Sequence, residues 1–110
     1  MIRAVFLENG YYIAGHAGYA PSGSDIVCAA VSALAQSAYL ALKHYGVASG
    51  CYQNDKAGIF AVVIIESEPA KRALAETAVT QMRLGIEEIA KQFPQYLRFI
   101  PHHGGGNNDV

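Results

Sequence analysis

The sequence has no tryptophan, only two cysteines and few charges, and each scarcity closes off a class of function. Cys28 and Cys51 are the only thiols. Two are too few for a disulfide scaffold, and neither stands in a C-x-x-C or C-x-x-C-H spacing. Charged residues make up 15% of the 110, below the quarter or so that is usual. Eight Lys and Arg against nine Asp and Glu leave a net charge of −1. Displacing counterions from nucleic acid needs a basic footprint, whereas Arg3, Lys43, Lys56, Lys71, Arg72, Arg83, Lys91 and Arg98 are scattered. No direct nucleic-acid contact is expected. The apolar run Ile59–Ile65 is far shorter than the roughly 20 residues of a membrane span. The N-terminal residues Met1 to Leu7 meet Glu8 and a turn before a signal segment could form its apolar centre. A reducing cytoplasm, with no membrane partner, is the expected setting.

Apolar residues, in contrast, are plentiful at 52%, enough for one core with surface to spare. Residues 1–100 are expected to form a single domain, followed by a polar, glycine-rich flexible tail over 101–110. Surplus apolar surface on so short a chain usually ends in a subunit interface, so a homodimer is expected.

Hydrophobic patterning gives the order β-β-α-β-β-α-β. Ile2–Leu7 is rich in strand formers, and Asn9-Gly10 favours a tight hairpin turn back into Tyr11–His16. Gly15–Ser24 holds three glycines, a proline and two serines and reads as a mobile loop. Asp25–His44 is alanine-rich, free of Gly and Pro, and followed by Gly46, which marks a helix capped by Ser24 or Asp25. It is apolar nearly all round, which predicts burial on several sides. Val47–Gln53 and Gly58–Glu66 flank Asn54-Asp55-Lys56-Ala57 as a second hairpin. The unbroken apolar run of its second strand predicts a central strand covered on both faces. Pro69 opens a second, amphipathic helix with Leu74, Ala78, Met82, Ile86, Ile89 and Phe93 inward. Tyr96–Ile100 would be a last strand. Two hairpins separated by helices predict an α+β domain, an α/β sandwich in which helices pack on a mostly antiparallel sheet.

Cys28 sits three or four residues into the first helix, near its unpaired N–H groups and positive dipole end. Such a position should lower a thiol below its free value of about 8.5. His16, twelve positions upstream, can be folded back by the glycine-rich loop to act as base or stabilising cation. Core packing is the competing reading for a cysteine in an alanine-rich helix. Asp25 either caps the helix or orients His16 as a third catalytic group. Cys51, His44 and the Tyr11-Tyr12, Tyr39 and Tyr45 side chains read as structural, and His102-His103 lacks metal partners. Neither a metal nor an organic cofactor is implied.

The strings Gly15-His16-Ala17-Gly18-Tyr19-Ala20 and Gly23-Ser24-Asp25-Ile26-Val27-Cys28-Ala29-Ala30-Val31-Ser32 resemble the signature of the bacterial ribosomal-processing cysteine protease family, Prp. That signature is a G-H-A segment, a short variable loop, then G-x-D-[IV]-[VI]-C-A-[AG]-[VI]-S, and the resemblance spans the whole chain. It implies a cysteine endopeptidase that removes the N-terminal extension of a large-subunit ribosomal protein precursor, L-twenty-seven. It also implies His16 as base, Cys28 as nucleophile, Asp25 and Ser32 near the site, and a homodimer with a mobile loop over the active centre. Helix N-terminal amides would then be the oxyanion donors, and Gly18, Gly23 and Tyr19 would belong to the loop that admits the substrate.

Three other functions compete with that one. A non-enzymatic ribosome-associated protein would tolerate Cys28→Ser and carry a basic face. An anion- or nucleotide-binding module would use the glycine-rich loop and helix N-terminus, although G-x-x-x-x-G-K-[ST] is absent. A redox sensor would need a resolving thiol, for which only distant Cys51 is available.

Overall fold

The computed structural model describes residues 1–21 and 25–101. Its elements are β1 (Ile2–Leu7), β2 (Gly10–Ala14), α1 (Ile26–His44), β3 (Ser49–Asn54), β4 (Ile59–Ile64), α2 (Pro69–Gln92) and β5 (Leu97–Ile100), in the order the patterning predicts. The five strands form one sheet in the order β3-β4-β2-β1-β5. Both hairpins and the β2–β4 contact are antiparallel, while β1 and β5 run parallel. The fold is α+β with a mixed sheet. Of the expected tail, residues 102–110 lie outside the described residues.

Strand side chains alternate between faces, and one face supplies the core. Ile2, Ala4 and Phe6 of β1, Tyr11 and Ile13 of β2, Val62 of β4 and Leu97 of β5 are buried together. Over them lie Val27, Val31, Ala35, Ala38 and Leu42 of α1 and Ala75, Met82 and Ile86 of α2. The Tyr11 hydroxyl donates to the Ala35 carbonyl at 2.8 Å, fixing the sheet to α1 within the core. Burial, ahead of the nearby Cys51 and Tyr39, raises that phenol far above its ordinary value, so it stays a neutral donor.

Two expectations about burial are corrected. The helix α1 is not buried on several sides, since Ile26 and Leu40 are 56% and 65% exposed. The strand β4 is not the covered centre of the sheet, since it lies second from one edge and Val63 is half exposed. One cause explains both. The helices share one face of the sheet, so α1 packs mainly on the sheet and α2, and among the described residues no helix covers the outer face. By length and mean hydropathy α1 could cross a bilayer, but its most apolar stripe is the one that closes this core. On the outer face, register aligns Ile100, Val5, Tyr12, Ala61 and Tyr52 in one row across all five strands.

Candidate active site

The strand β2 ends at Ala14, two residues short of the expected boundary, so His16 stands just beyond a strand rather than on it. Gly15 makes the exit. Its φ is +94°, and a Cβ there would lie 2.6 Å from the Met1 carbonyl oxygen, so only glycine fits without moving β1. The chain then turns towards the N-terminus of α1. Ala17 is buried, and its N–H donates to Cys28 Sγ at 3.3 Å. That contact closes the loop between the two candidate residues, bringing the His16 segment onto the sulfur as the spacing allows.

Asp25 is the N-cap of α1 and Cys28 the third helical residue. Asp25 Oδ1 accepts from the Cys28 N–H at 2.9 Å, and Oδ2 accepts from the Tyr19 N–H at 3.1 Å. The Cys28 N–H leads the causes that hold this carboxyl below the usual carboxylate range. Asp25 is thus a cap that also ties down the loop; among the described residues no hydrogen bond joins it to His16. Tyr19 reaches away from the sulfur and meets Phe93 and Tyr96 edge-on, with ring centroids 5.7 and 5.1 Å apart. Gly18 lies on the same loop, and Gly23 falls outside the described residues.

Because the folded-state value of Asp25 is depressed, its contribution to stability is complete above the unfolded carboxylate value of about 3.9. It is lost as pH falls through the lower folded value. Asp25→Ala is therefore expected to melt below the wild type at pH 7, with the two melting temperatures converging in acid. Thermal scans from pH 7 to 2 check this, and a constant gap would refute it.

Two recesses meet at the sulfur. One of about 160 Å³ runs between α1 and the β3–β4 turn, where Gln36, Gln53, Asp55, Gly58 and Phe60 join His16, Cys28 and Ser32. The other, of about 580 Å³, lies under the loop and adds Gly18, Ala20, Asp25 and Ala29 to the same three residues. Ser32 is one helical turn after Cys28 and exposed to both. An extended chain crossing Cys28 would have a recess on each side of it. The β3–β4 residues were not singled out from the sequence. Their turn chemistry was readable, but not its placement beside His16. Among the described residues no three His, Cys, Asp or Glu side chains gather in a metal-binding group.

The electrostatics of the thiol reverse the sequence expectation. Burial pushes Cys28 above its ordinary value; the Ala17 N–H acts the other way, and the Asp25 carboxylate adds to the rise. Desolvation of the sulfur is the leading cause, and the Cys28 and Ala29 amides of the helix N-terminus are already taken by Asp25. Those two amides therefore do not serve as free oxyanion donors in this conformation. The Ala17 N–H is the amide that points at the sulfur.

The model of one peptidase family, the cysteine protease Prp, matches residues 1–98. The chain belongs to the Prp cysteine protease family. It is a cysteine protease, and the ribosome-associated reading without enzymatic activity is set aside. Solved structures carry the same fold. The ribosomal processing protease Prp of S. aureus, in complex with a covalently linked product peptide, superposes with a TM-score of 0.82 at 19% identity over 92% of this chain and 99% of that one. The protein SMU.848 of Streptococcus mutans gives 0.77 at 25% identity over 93% and 94%. A second S. aureus Prp structure, in complex with a substrate peptide, gives 0.75 at 19% identity. No curated protein matches this Prp-family protease in sequence.

Proposed function

We propose that this protease trims the N-terminal extension from the precursor of the large-subunit ribosomal protein L-twenty-seven, with Cys28 as nucleophile and His16 as base. The observation that carries the assignment is the Ala17 N–H bond to Cys28 Sγ, which holds the histidine segment against the sulfur where two recesses meet. Family membership and the peptide-bound S. aureus structures support a ribosomal protein as the substrate.

In the mechanism, the resting thiol is protonated because burial favours its neutral form. When the peptide excludes water, His16 takes the proton from Sγ and the sulfur attacks the scissile carbonyl, forming a C–S bond. The Ala17 N–H, released from the sulfur as it attacks, is positioned to stabilise the oxyanion. The imidazolium then protonates the leaving amine, the C–N bond breaks, and water activated by neutral His16 hydrolyses the thioester. Asp25 keeps the helix end and the loop in register, and Ser32 offers a hydroxyl to the substrate backbone. The reaction takes place in a reducing compartment, without nucleic acid, membrane or cofactor.

Incubation with the extended precursor followed by mass spectrometry tests the assignment. A shortened ribosomal protein is expected, and an intact precursor would end it. We also propose that the working form is a homodimer, supported by the apolar row across the open sheet face and by exposed Ile26 and Leu40. Light scattering at micromolar concentration should give about twice 11.7 kDa; a monomer mass would refute it.

A further inference from the structure

Among the described residues the imidazole of His16 makes no hydrogen bond to the sulfur. It lies against the β3–β4 turn, where a Cβ built on Gly58 would stand 2.8 Å from His16 Nε2, 3.0 Å from Cε1 and 2.9 Å from the Gly15 carbonyl oxygen. All three distances are at or below the limit that real Cβ atoms show, and one of the obstructing atoms is backbone. The same residue also holds the chain beneath the ring, since the Gly15 N–H donates to the Gly58 carbonyl at 2.9 Å. Gly58 therefore bounds His16 at two points, through the backbone before it and beside the Nε2–Cε1 edge of its ring.

The turn that carries Gly58 is internally braced. The Gly58 N–H donates to the Asp55 carbonyl at 3.2 Å, and the Ala57 N–H to Asn54 Oδ1 at 3.0 Å. Gln53 Nε2 donates to Asp55 Oδ1 at 2.8 Å. A braced turn acts as a fixed shelf, whereas an exposed histidine on a loop would otherwise sample several rotamers. General-base catalysis depends on the base being held within reach of the proton it removes, and a misplacement of about 1 Å can cost about 10²-fold.

We propose that Gly58 is the positioning residue of the histidine base: the β3–β4 turn is a shelf that presents the His16 ring to the recess shared with Cys28, and any side chain at position 58 displaces it. The proposal rests on His16 being the base, and the experiment separates the two. Gly58→Ala is compared with Gly46→Ala and His16→Ala in the precursor assay. Gly46 has the same left-handed backbone (φ +70°), but its Cβ would meet only Lys71 Nζ at 3.8 Å, so Gly46→Ala carries the same backbone strain without touching the ring. Gly58→Ala is expected to lose about 10²-fold in kcat with KM little changed, and Gly46→Ala to keep wild-type kcat. A folded Gly58→Ala with wild-type kcat, alongside an inactive His16→Ala, overturns the shelf and leaves the base standing. Full activity in His16→Ala overturns the base and the positioning role with it. Should Gly58→Ala fail to fold, the wild-type protein still decides: an NMR cross-peak between His16 Hε1 and the Gly58 Hα protons is expected, and its absence removes the shelf.

Discussion

Cys28→Ala is expected to abolish precursor cleavage, with kcat down by about 10⁴-fold or more, while the protein melts close to the wild type. The size of the loss follows from the removal of covalent chemistry. Without sulfur no acyl-enzyme can form, and what remains is whatever rate binding and oxyanion stabilisation give to water, about 10³–10⁴ over the uncatalysed reaction in comparable hydrolases. The small structural effect follows from the site. Cys28 is half-buried at the first turn of α1, and its side chain gives the core no polar atom. Among the described residues the Ala17 N–H donates to Sγ at 3.3 Å, and a lost hydrogen bond of this kind costs about 1 kcal/mol. The helix cap uses the Cys28 backbone N–H, not the side chain, so it survives the substitution. Cleavage by mass spectrometry and a thermal melt on the same sample measure both halves. Retained cleavage in a folded Cys28→Ala would refute the nucleophile. Cys51 is no substitute, since it sits on edge strand β3 and lines neither recess at the active site.

What the sequence disclosed about this site was local, and what it concealed was tertiary. The strand Ile2–Leu7, the Asn9-Gly10 turn and the helix ending at His44 were readable because periodicity and turn chemistry act between near neighbours. Alternation tells which side chains share a face but not which strand lies alongside. The parallel contact of β5 with β1, made only after α2 carries the chain back, was therefore out of reach. The same limit hid the contact of Gly58 with His16, 42 positions earlier in the chain, which adds to the local demand of its left-handed backbone. The thiol was misjudged for a related reason. Position 28 on a helix gives the sign of the dipole, but the burial that leads the causes of the shift is set by tertiary packing. For Asp25 both readings began from the same residue, and among the described residues its carboxylate accepts from the backbone N–H groups of Cys28 and Tyr19.

The raised thiol makes the role of His16 testable beyond loss of activity. His16→Ala should lower kcat by about 10²–10⁴-fold, the usual worth of a general base. Two mechanisms predict that loss, and alkylation separates them. If a thiolate–imidazolium pair already existed in the free enzyme, Cys28 would react with iodoacetamide from below the free-thiol range, and His16→Ala would move that profile upwards. Burial favours the neutral thiol, and among the described residues no hydrogen bond links the ring to the sulfur. The neutral form therefore persists as pH rises through the ordinary thiol value, and alkylation of the free enzyme is expected to accelerate only above about 8.5. In His16→Ala that profile should be nearly unchanged, because the base acts only once the peptide has closed the site. Mass spectrometry of the Cys28 peptide keeps the exposed Cys51 out of the measurement. A wild-type midpoint below the free-thiol value that rises in His16→Ala would establish the preformed pair instead, and would mean that the imidazole leaves its place against Gly58 in solution.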